Sequence, residues 1–225
     1  MTRLPTRPAV GGGRRQLNLP VLGHATRELC RVDPDLRAVV RRWGAPPLWG
    51  RRPGFVTLLR IILEQQVSLA SAKAMYLRLR GHLGVVTPGT VAELGASGLR
   101  DLGFTRQKAA YCQGLALELA EGRLDLRSLH ARDDATVRSA LIRLHGVGPW
   151  SADIYLLMAL RRPDVWPTGD LALAQAMREV KRLRSRPSPQ RQEQVAAGWA
   201  PWRAVAARIL WHHYLSVRAE RRTPA

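Results

Sequence analysis

Cysteine is scarce in this chain of 225 residues: Cys30 and Cys112 are the only two, each inside a helical pattern of apolar residues. Two thiols are too few for a cysteine-ligated iron–sulfur cluster or zinc site, and both are expected to be buried. Lysine is almost as rare. Only Lys73, Lys108 and Lys181 occur, although lysine and arginine together number 36 against 17 acidic residues. No apolar run reaches the roughly 18 residues of a membrane span, and no secretory leader precedes the first helical pattern. A soluble cytoplasmic protein with no membrane partner is therefore expected. Strand alternation is also missing, apart from the brief Val85-Val86. His212-His213 is an adjacent pair without the spacing that sets two imidazoles on one helix face, so no metal hydrolase is indicated and no cofactor is expected.

What the chain has in excess is arginine, which dominates a formal net charge of +19. Unpaired positive charge on this scale attracts a polyanion and makes its binding steeply salt-dependent, as for nucleic acid. The length allows one sizeable core or two small lobes sharing a cleft.

Helical periodicity with cap residues recurs along the chain and predicts an all-α fold. Leu22–Cys30 forms a first helix. Asp33-Pro34 then reads as N-cap and first turn of a helix that runs to Trp43 and stops at Gly44. After the proline-rich loop Ala45–Pro53, the apolar series Leu58, Leu59, Ile61, Ile62, Leu63 and Val67 makes a mostly buried helix, and Ser68 starts another that ends near Gly84. Short helices follow after Thr87-Pro88 and over Ser97–Leu102, and Thr105 caps a long one reaching Gly122. Asp133 opens a helix through Leu144, Leu171–Leu183 forms another, Ser185–Pro189 is a polar break, and Trp202–Val217 closes the series.

One stretch restricts function more than any other. Leu144-His145-Gly146-Val147-Gly148-Pro149-Trp150 is a glycine-pinched turn between two helices, and Asp170 opens the next helical run one short helix and one loop later. Gly146 ends the first helix, Gly148 lets the backbone turn, and Pro149 suits a first helical position. Such a turn leaves backbone N–H groups that attract an anion, and contacts of this kind position DNA without reading its sequence.

Leu144–Trp150, followed by Trp166-Pro167-Thr168-Gly169-Asp170, resembles the signature of the helix-hairpin-helix DNA glycosylase superfamily, which is named for that hairpin plus a Gly/Pro-rich loop and aspartate. Within it the chain is most similar to the bacterial 3-methyladenine DNA glycosylase II branch. The match includes Ile62-Leu63-Glu64-Gln65-Gln66-Val67-Ser68, Gly103-Phe104-Thr105-Arg106-Gln107-Lys108-Ala109 and Pro201-Trp202-Arg203, over residues 50–215. The resemblance implies two helical lobes around a DNA-binding cleft: a central lobe over residues 55–165, and a second built from residues 20–54 with 166–225, after a flexible basic tail at 1–19. Larger bacterial members carry a β-rich domain ahead of these lobes. Fewer than sixty residues precede Phe55 here, so a minimal version is expected.

The resemblance also implies roles. Asp170 would be the catalytic carboxylate, stabilising the positive charge that develops on the sugar as an N-glycosidic bond breaks. An alkylated purine is already cationic and leaves readily, so one carboxylate suffices where sugar hydrolases commonly use two. Bifunctional members carry a Schiff-base lysine where Trp150 stands, so a monofunctional enzyme leaving an abasic site is expected. The lesion would be flipped from the stack against Trp150 and Trp211, whose indole faces attract a cationic base. For Trp211 core packing fits equally, and Trp166 reads as core or pocket wall. Gln65 or Gln66, or a neighbouring side chain, would fill the vacated space. Branch relatives place leucine at the position of Gln66; a glutamine adds the ability to hydrogen-bond the orphaned base. Gly146 and Gly148, with Arg106, Lys108 and Arg203, would contact the DNA backbone, and the carbonyls of Leu144 and Gly146 would hold a monovalent cation. The expected partner is double-stranded DNA containing alkylated bases, bound by a monomer. Two alternatives stay open: a glycosylase for oxidised or deaminated bases, and a non-catalytic DNA-binding protein that uses only the hairpin.

Overall fold

A computed structural model of the chain describes residues 16–221. The basic tail expected at residues 1–19 lies outside the described residues up to position 15. Its last part is not a tail: Leu17 is fully buried and its amide donates to the Arg161 carbonyl at 2.8 Å. Among the described residues the structure holds eleven α-helices and no strand: α1 (Leu19–Val32), α2 (Pro34–Trp43), α3 (Phe55–Glu64), α4 (Leu69–Leu83), α5 (Pro88–Asp101), α6 (Arg106–Ala120), α7 (Asp134–Ile142), α8 (Pro149–Ile154), α9 (Leu171–Val180), α10 (Pro189–Ala197) and α11 (Arg203–Glu220). A single 3₁₀ turn spans Ser128–Ala131, and α8 continues as a π turn over Tyr155–Ala159.

The caps explain most of these boundaries. Side-chain oxygens of Asn18, Asp33, Ser68, Thr87, Thr105, Asp133, Asp170 and Ser188 each accept from a first-turn amide of the helix that follows. Each such cap satisfies a donor that the helix itself leaves unpaired. The two short helices expected after Thr87 and Ser97 are one element with a kink at Gly95. Val85-Val86 forms no strand; Val85 is 68% exposed in the link between α4 and α5. The polar break expected at Ser185–Pro189 ends in α10, whose Ser188-Pro189 is the same cap-and-proline start used by α2. Its polar run Pro-Gln-Arg-Gln-Glu-Gln hides any apolar period, because Gln192 and Ala196 are the residues it buries.

The helices pack in two sets. In one, α11 contacts α1, α2, α9 and α10. In the other, α3 contacts α4, α6 and α8, while α5 pairs with α6 and α7 with α8. The α3 helix is the centre of its set because Leu58, Leu59, Ile61, Ile62 and Leu63 are all fully buried. Each such side chain stabilises the fold by roughly 1.5–3 kcal/mol on burial. The two sets are joined by charge-assisted bonds: Arg203 in α11 forks onto Asp164, and Arg208 in α11 reaches the Leu157 carbonyl in the π turn.

Within the first set a partly buried charge cluster ties distant segments. Lys181 Nζ donates to both oxygens of Asp33 at 2.7 Å and to Asp35 at 2.9 Å, while Trp199 Nε1 donates to Asp33 at 2.7 Å. Burial opposes ionisation of Asp33, but the bonds from Lys181, Trp199 and the Leu36 amide outweigh it and hold the carboxyl below its usual range. Burial likewise opposes the charge on Lys181, and its bonds to Asp33 and Asp35 win and raise it. The Asp33 contribution is therefore whole above the ordinary carboxylate pKa of 3.8 and is lost as pH falls through its lower folded value. The Lys181 contribution is whole below 10.5 and is lost as pH rises through its higher folded value. Urea unfolding of the parent and Lys181→Met across pH should show a stability gap that is flat between about pH 5 and 9 and narrows on both sides. A gap independent of pH would contradict it.

Candidate active site and nucleic-acid interface

The hairpin begins where α7 ends. Between Ile142 and Pro149 the chain turns through Gly146, whose φ of +86° lies in the left-handed region that favours glycine. Space alone would also require glycine here, because a Cβ on Gly146 would overlap the ring of Tyr111 from α6. Tyr111 is held in turn by Gln107, whose Nε2 donates to its hydroxyl at 2.7 Å, and by the edge of His145, with ring centroids 4.7 Å apart. The Val147 amide closes the turn on the Leu144 carbonyl at 3.0 Å. Among the described residues the Gly146 and Gly148 amides have no protein acceptor. Beside them opens a cavity of about 600 Å³, lined among others by Gln66, Gln107, Arg143 and His145. It is rimmed by donors.

Asp170 caps α9 at the junction of the two helix sets. Its Oδ1 accepts from the Leu173 amide at 2.8 Å and from Trp211 Nε1 at 3.3 Å, and its Oδ2 accepts from Trp150 Nε1 at 3.0 Å. Trp150 comes from α8 and Trp211 from α11. All three partners are N–H donors, the set that an acceptor-only carboxylate takes. Asp170 is 9% exposed, and the next residue, Leu171, is 71% exposed. Asp170 is thus a fixed acceptor set beside an open apolar edge. Both tryptophans carry an indole N–H pinned to the same carboxylate, which orients their rings around it.

The structure separates the remaining candidates. Gln66 is exposed at the tip between α3 and α4, with a left-handed φ of +57°. Gln65 does not project there: its Nε2 donates to the Gly146 carbonyl and to Ser151 Oγ, both at 2.8 Å, so it braces the hairpin instead of reaching outward. Arg106 is exposed at the start of α6. Lys108, expected on the surface, is 8% exposed and its Nζ donates to the Leu63 carbonyl at 2.5 Å. Burial pulls its ammonium below the usual lysine range, and its charge serves the C-terminus of α3. Arg203 is likewise committed, with Nε and Nη2 on the two Asp164 oxygens at 2.8 and 3.0 Å.

Trp166 is a core residue rather than a pocket wall: it is 5% exposed and packs on Trp199, ring centroids 5.5 Å apart. The two carbonyls proposed for a cation already accept hydrogen bonds, Leu144 from Val147 and Gly146 from Gln65. Among the described residues no group of three His, Cys, Asp or Glu side chains could hold a metal ion, and no helix is long and apolar enough to cross a membrane. Cys112 is buried, which pushes its thiol up to about 12, whereas Cys30 is only half-buried. Sequence reasoning missed Tyr111 and Ser151, which brace the hairpin from α6 and α8. The left-handed glycine was a signal that something lies close, but not which residue.

The chain matches the family described as "HhH-GPD superfamily base excision DNA repair protein" over residues 59–201. A DNA-3-methyladenine glycosylase of Bacillus subtilis is 26% identical over 196 residues, covering 82% of this chain and 65% of that protein. The chain thus spans less than two thirds of this relative's length. Among solved structures, the 3-methyladenine DNA glycosylase Mag1 of Schizosaccharomyces pombe in complex with abasic DNA superposes with a TM-score of 0.72 at 22% identity, over 84% of this chain and 95% of that one. The 8-oxoguanine glycosylase/lyase of Clostridium acetobutylicum, bound to double-stranded DNA, gives 0.76 at 18% identity, over 88% of this chain and 70% of that one.

Proposed function

The chain belongs to the HhH-GPD superfamily of base excision DNA repair proteins, and from that premise we propose that it is a monofunctional DNA glycosylase for alkylated purines of the 3-methyladenine and 7-methylguanine type. The observation that carries this reading is Asp170 held by Trp150 and Trp211 at the junction of the two helix sets. The sets act as two lobes, residues 55–165 forming one and the terminal segments the other, and duplex DNA lies across the groove between them. The lesion nucleotide swings out of the stack into that groove, which is how an enzyme reaches a bond buried in a duplex.

There the carboxylate lies beneath the deoxyribose. As the N-glycosidic bond lengthens, positive charge builds on the ring, and a fixed, water-poor anion stabilises that state more than the ground state. The same oxygen atoms orient the water that attacks the sugar carbon. The departing base needs no proton from the enzyme, because alkylation has already made it cationic. The half-buried indole of Trp150 offers a face that attracts such a base and favours it over neutral purines, while Trp211, 9% exposed and packed in the core, holds the carboxylate through its N–H. Trp150 stands where bifunctional relatives carry the imine-forming lysine, and Lys108 is committed to the Leu63 carbonyl, so neither position offers an amine to the abasic sugar.

Gln66 at the exposed tip fills the gap left in the duplex. The Gly146 and Gly148 amides and Arg106 grip phosphates, with the net charge of +19 adding affinity that falls steeply with salt. The enzyme works as a monomer on chromosomal DNA in the cytoplasm. A second reading, excision of oxidised or deaminated bases, is favoured by the likeness to the oxoguanine enzyme. One experiment decides among these: incubation with duplexes that each carry one defined lesion, followed for base release and for strand scission before and after alkali. Free alkylated purine with strands intact until alkali is the expected result. Release of 8-oxoguanine alone selects the second reading, immediate scission through a trappable imine overturns the monofunctional assignment, and binding without any release leaves a DNA-binding module.

A further inference from the structure

We propose that Gln65 is a positioning residue that locks the hairpin to the tip of α3, so that the backbone grip and the opening of the base stack act as one rigid unit. The inference rests on the glycosylase reading above. Both hydrogens of the Gln65 amide are used: one bonds the Gly146 carbonyl in the hairpin turn, the other Ser151 Oγ in α8. Ser151 is itself 2% exposed, so the second bond is anchored in the interior. Gln65 also precedes Gln66 directly, and Gln66 adopts a left-handed φ of +57°.

A non-glycine residue keeps such a backbone only where its surroundings over-determine it. Two hydrogen bonds beside the tip supply that constraint. Lys108 Nζ holds the Leu63 carbonyl in the last turn of α3, and the Gln65 amide holds the tip against the hairpin. The hairpin is backed in turn by Tyr111, whose ring fills the place of a Gly146 side chain. The tip, the hairpin and the N-terminal half of α6 thus form one braced wall around the cavity of about 600 Å³. Pushing a side chain into a duplex requires a reaction force, and phosphates held at the hairpin deliver it only if the tip cannot swing relative to them. The amide of Gln65 is the direct tie between the two.

The test is Gln65→Met in the full chain, a near-isosteric change that removes both donors. Single-turnover release of one alkylated purine is compared between a fully paired duplex and the same lesion in a one-nucleotide bulge, where no pair has to open. The expected result is a loss of about tenfold or more on the paired substrate and under about threefold on the bulge, the scale of a small misplacement. Equal loss on both substrates, or no loss on either, overturns the proposal. If Gln65→Met does not fold, as judged by thermal melting, Ser151→Ala replaces it: this variant loses one half of the clamp and must show the same preference against paired DNA. Absence of base release by the parent itself would instead defeat the glycosylase reading. In that case the fluorescence of 2-aminopurine beside an abasic analogue still decides the coupling, since parent and Gln65→Met must unstack it to different extents.

Discussion

Replacing Asp170 with asparagine is expected to slow single-turnover release of an alkylated purine by about 10²–10³-fold, with a stability loss of about 1–3 kcal/mol and little change in affinity for undamaged DNA. Asparagine is as good an N-cap as aspartate, so its oxygen can keep the bond to the Leu173 amide that starts α9. What it removes is the charge. It also turns one acceptor into an NH₂ group facing an indole N–H, because Oδ1 and Oδ2 accept from Trp211 and Trp150 respectively. Donor then meets donor on one side, and the side chain is held less firmly beneath the sugar. A variant that excises at the parental rate would refute the role of the carboxylate. A variant that unfolds would show instead that the two indole bonds carry the junction between the helix sets. Circular dichroism and thermal melting, run beside the base-release assay, separate these outcomes.

Arg208→Met is expected to cost about 3 kcal/mol of stability, because each buried carbonyl left without a partner costs about 1–3 kcal/mol. Arg208 is fully buried, with Nε on the Leu48 carbonyl at 2.8 Å, Nη1 on Ala204 at 2.9 Å and Nη2 on Leu157 at 2.8 Å. These acceptors belong to the loop before α3, to α11 and to the π turn after α8. Burial pulls its pKa down to about 10, and the guanidinium is still cationic at neutral pH. Methionine matches much of the length but donates nothing, so two loop and turn carbonyls lose their partner. In urea the midpoint should fall without a change in slope, and the melting temperature should drop by roughly 6–12 °C for a chain of this size. A loss below about 1 kcal/mol would mean that water replaces the guanidinium at those carbonyls, and the stitch across the two helix sets would then be dispensable. Because Trp211 lies three residues further along α11 and bonds Asp170, a loosened helix should also slow base release.

Local signals accounted for most of the helices. Asp33-Pro34, Ser68, Thr87-Pro88, Thr105, Asp133 and Asp170 each cap a helix at the boundary that the sequence suggests, because a cap bond closes within three residues and needs no distant partner. The helix at Pro189–Ala197 was hidden for the complementary reason: it has the cap but almost no apolar period, and contact with α11 stabilises it. The apolar series through Val67 suggested that α3 runs further than it does. It stops at Glu64, where Lys108 takes the Leu63 carbonyl and Gln66 turns left-handed.

By itself the sequence determined the all-helical class, the glycine turn before Pro149 and the placing of Asp170 at a helix start, since each depends on residues within a few positions of one another. Which charges face solvent was decided only by the tertiary structure. Lys108 and Arg203 look identical to Arg106 in a linear reading, yet one caps a buried helix end and one is locked to Asp164. The division between Gln65 and Gln66 was decided there too, as was the meeting of Trp150 and Trp211 on a single carboxylate. Such contacts join residues 20 to 81 positions apart. Their partners are selected by how helices pack, a property that no short window of sequence contains.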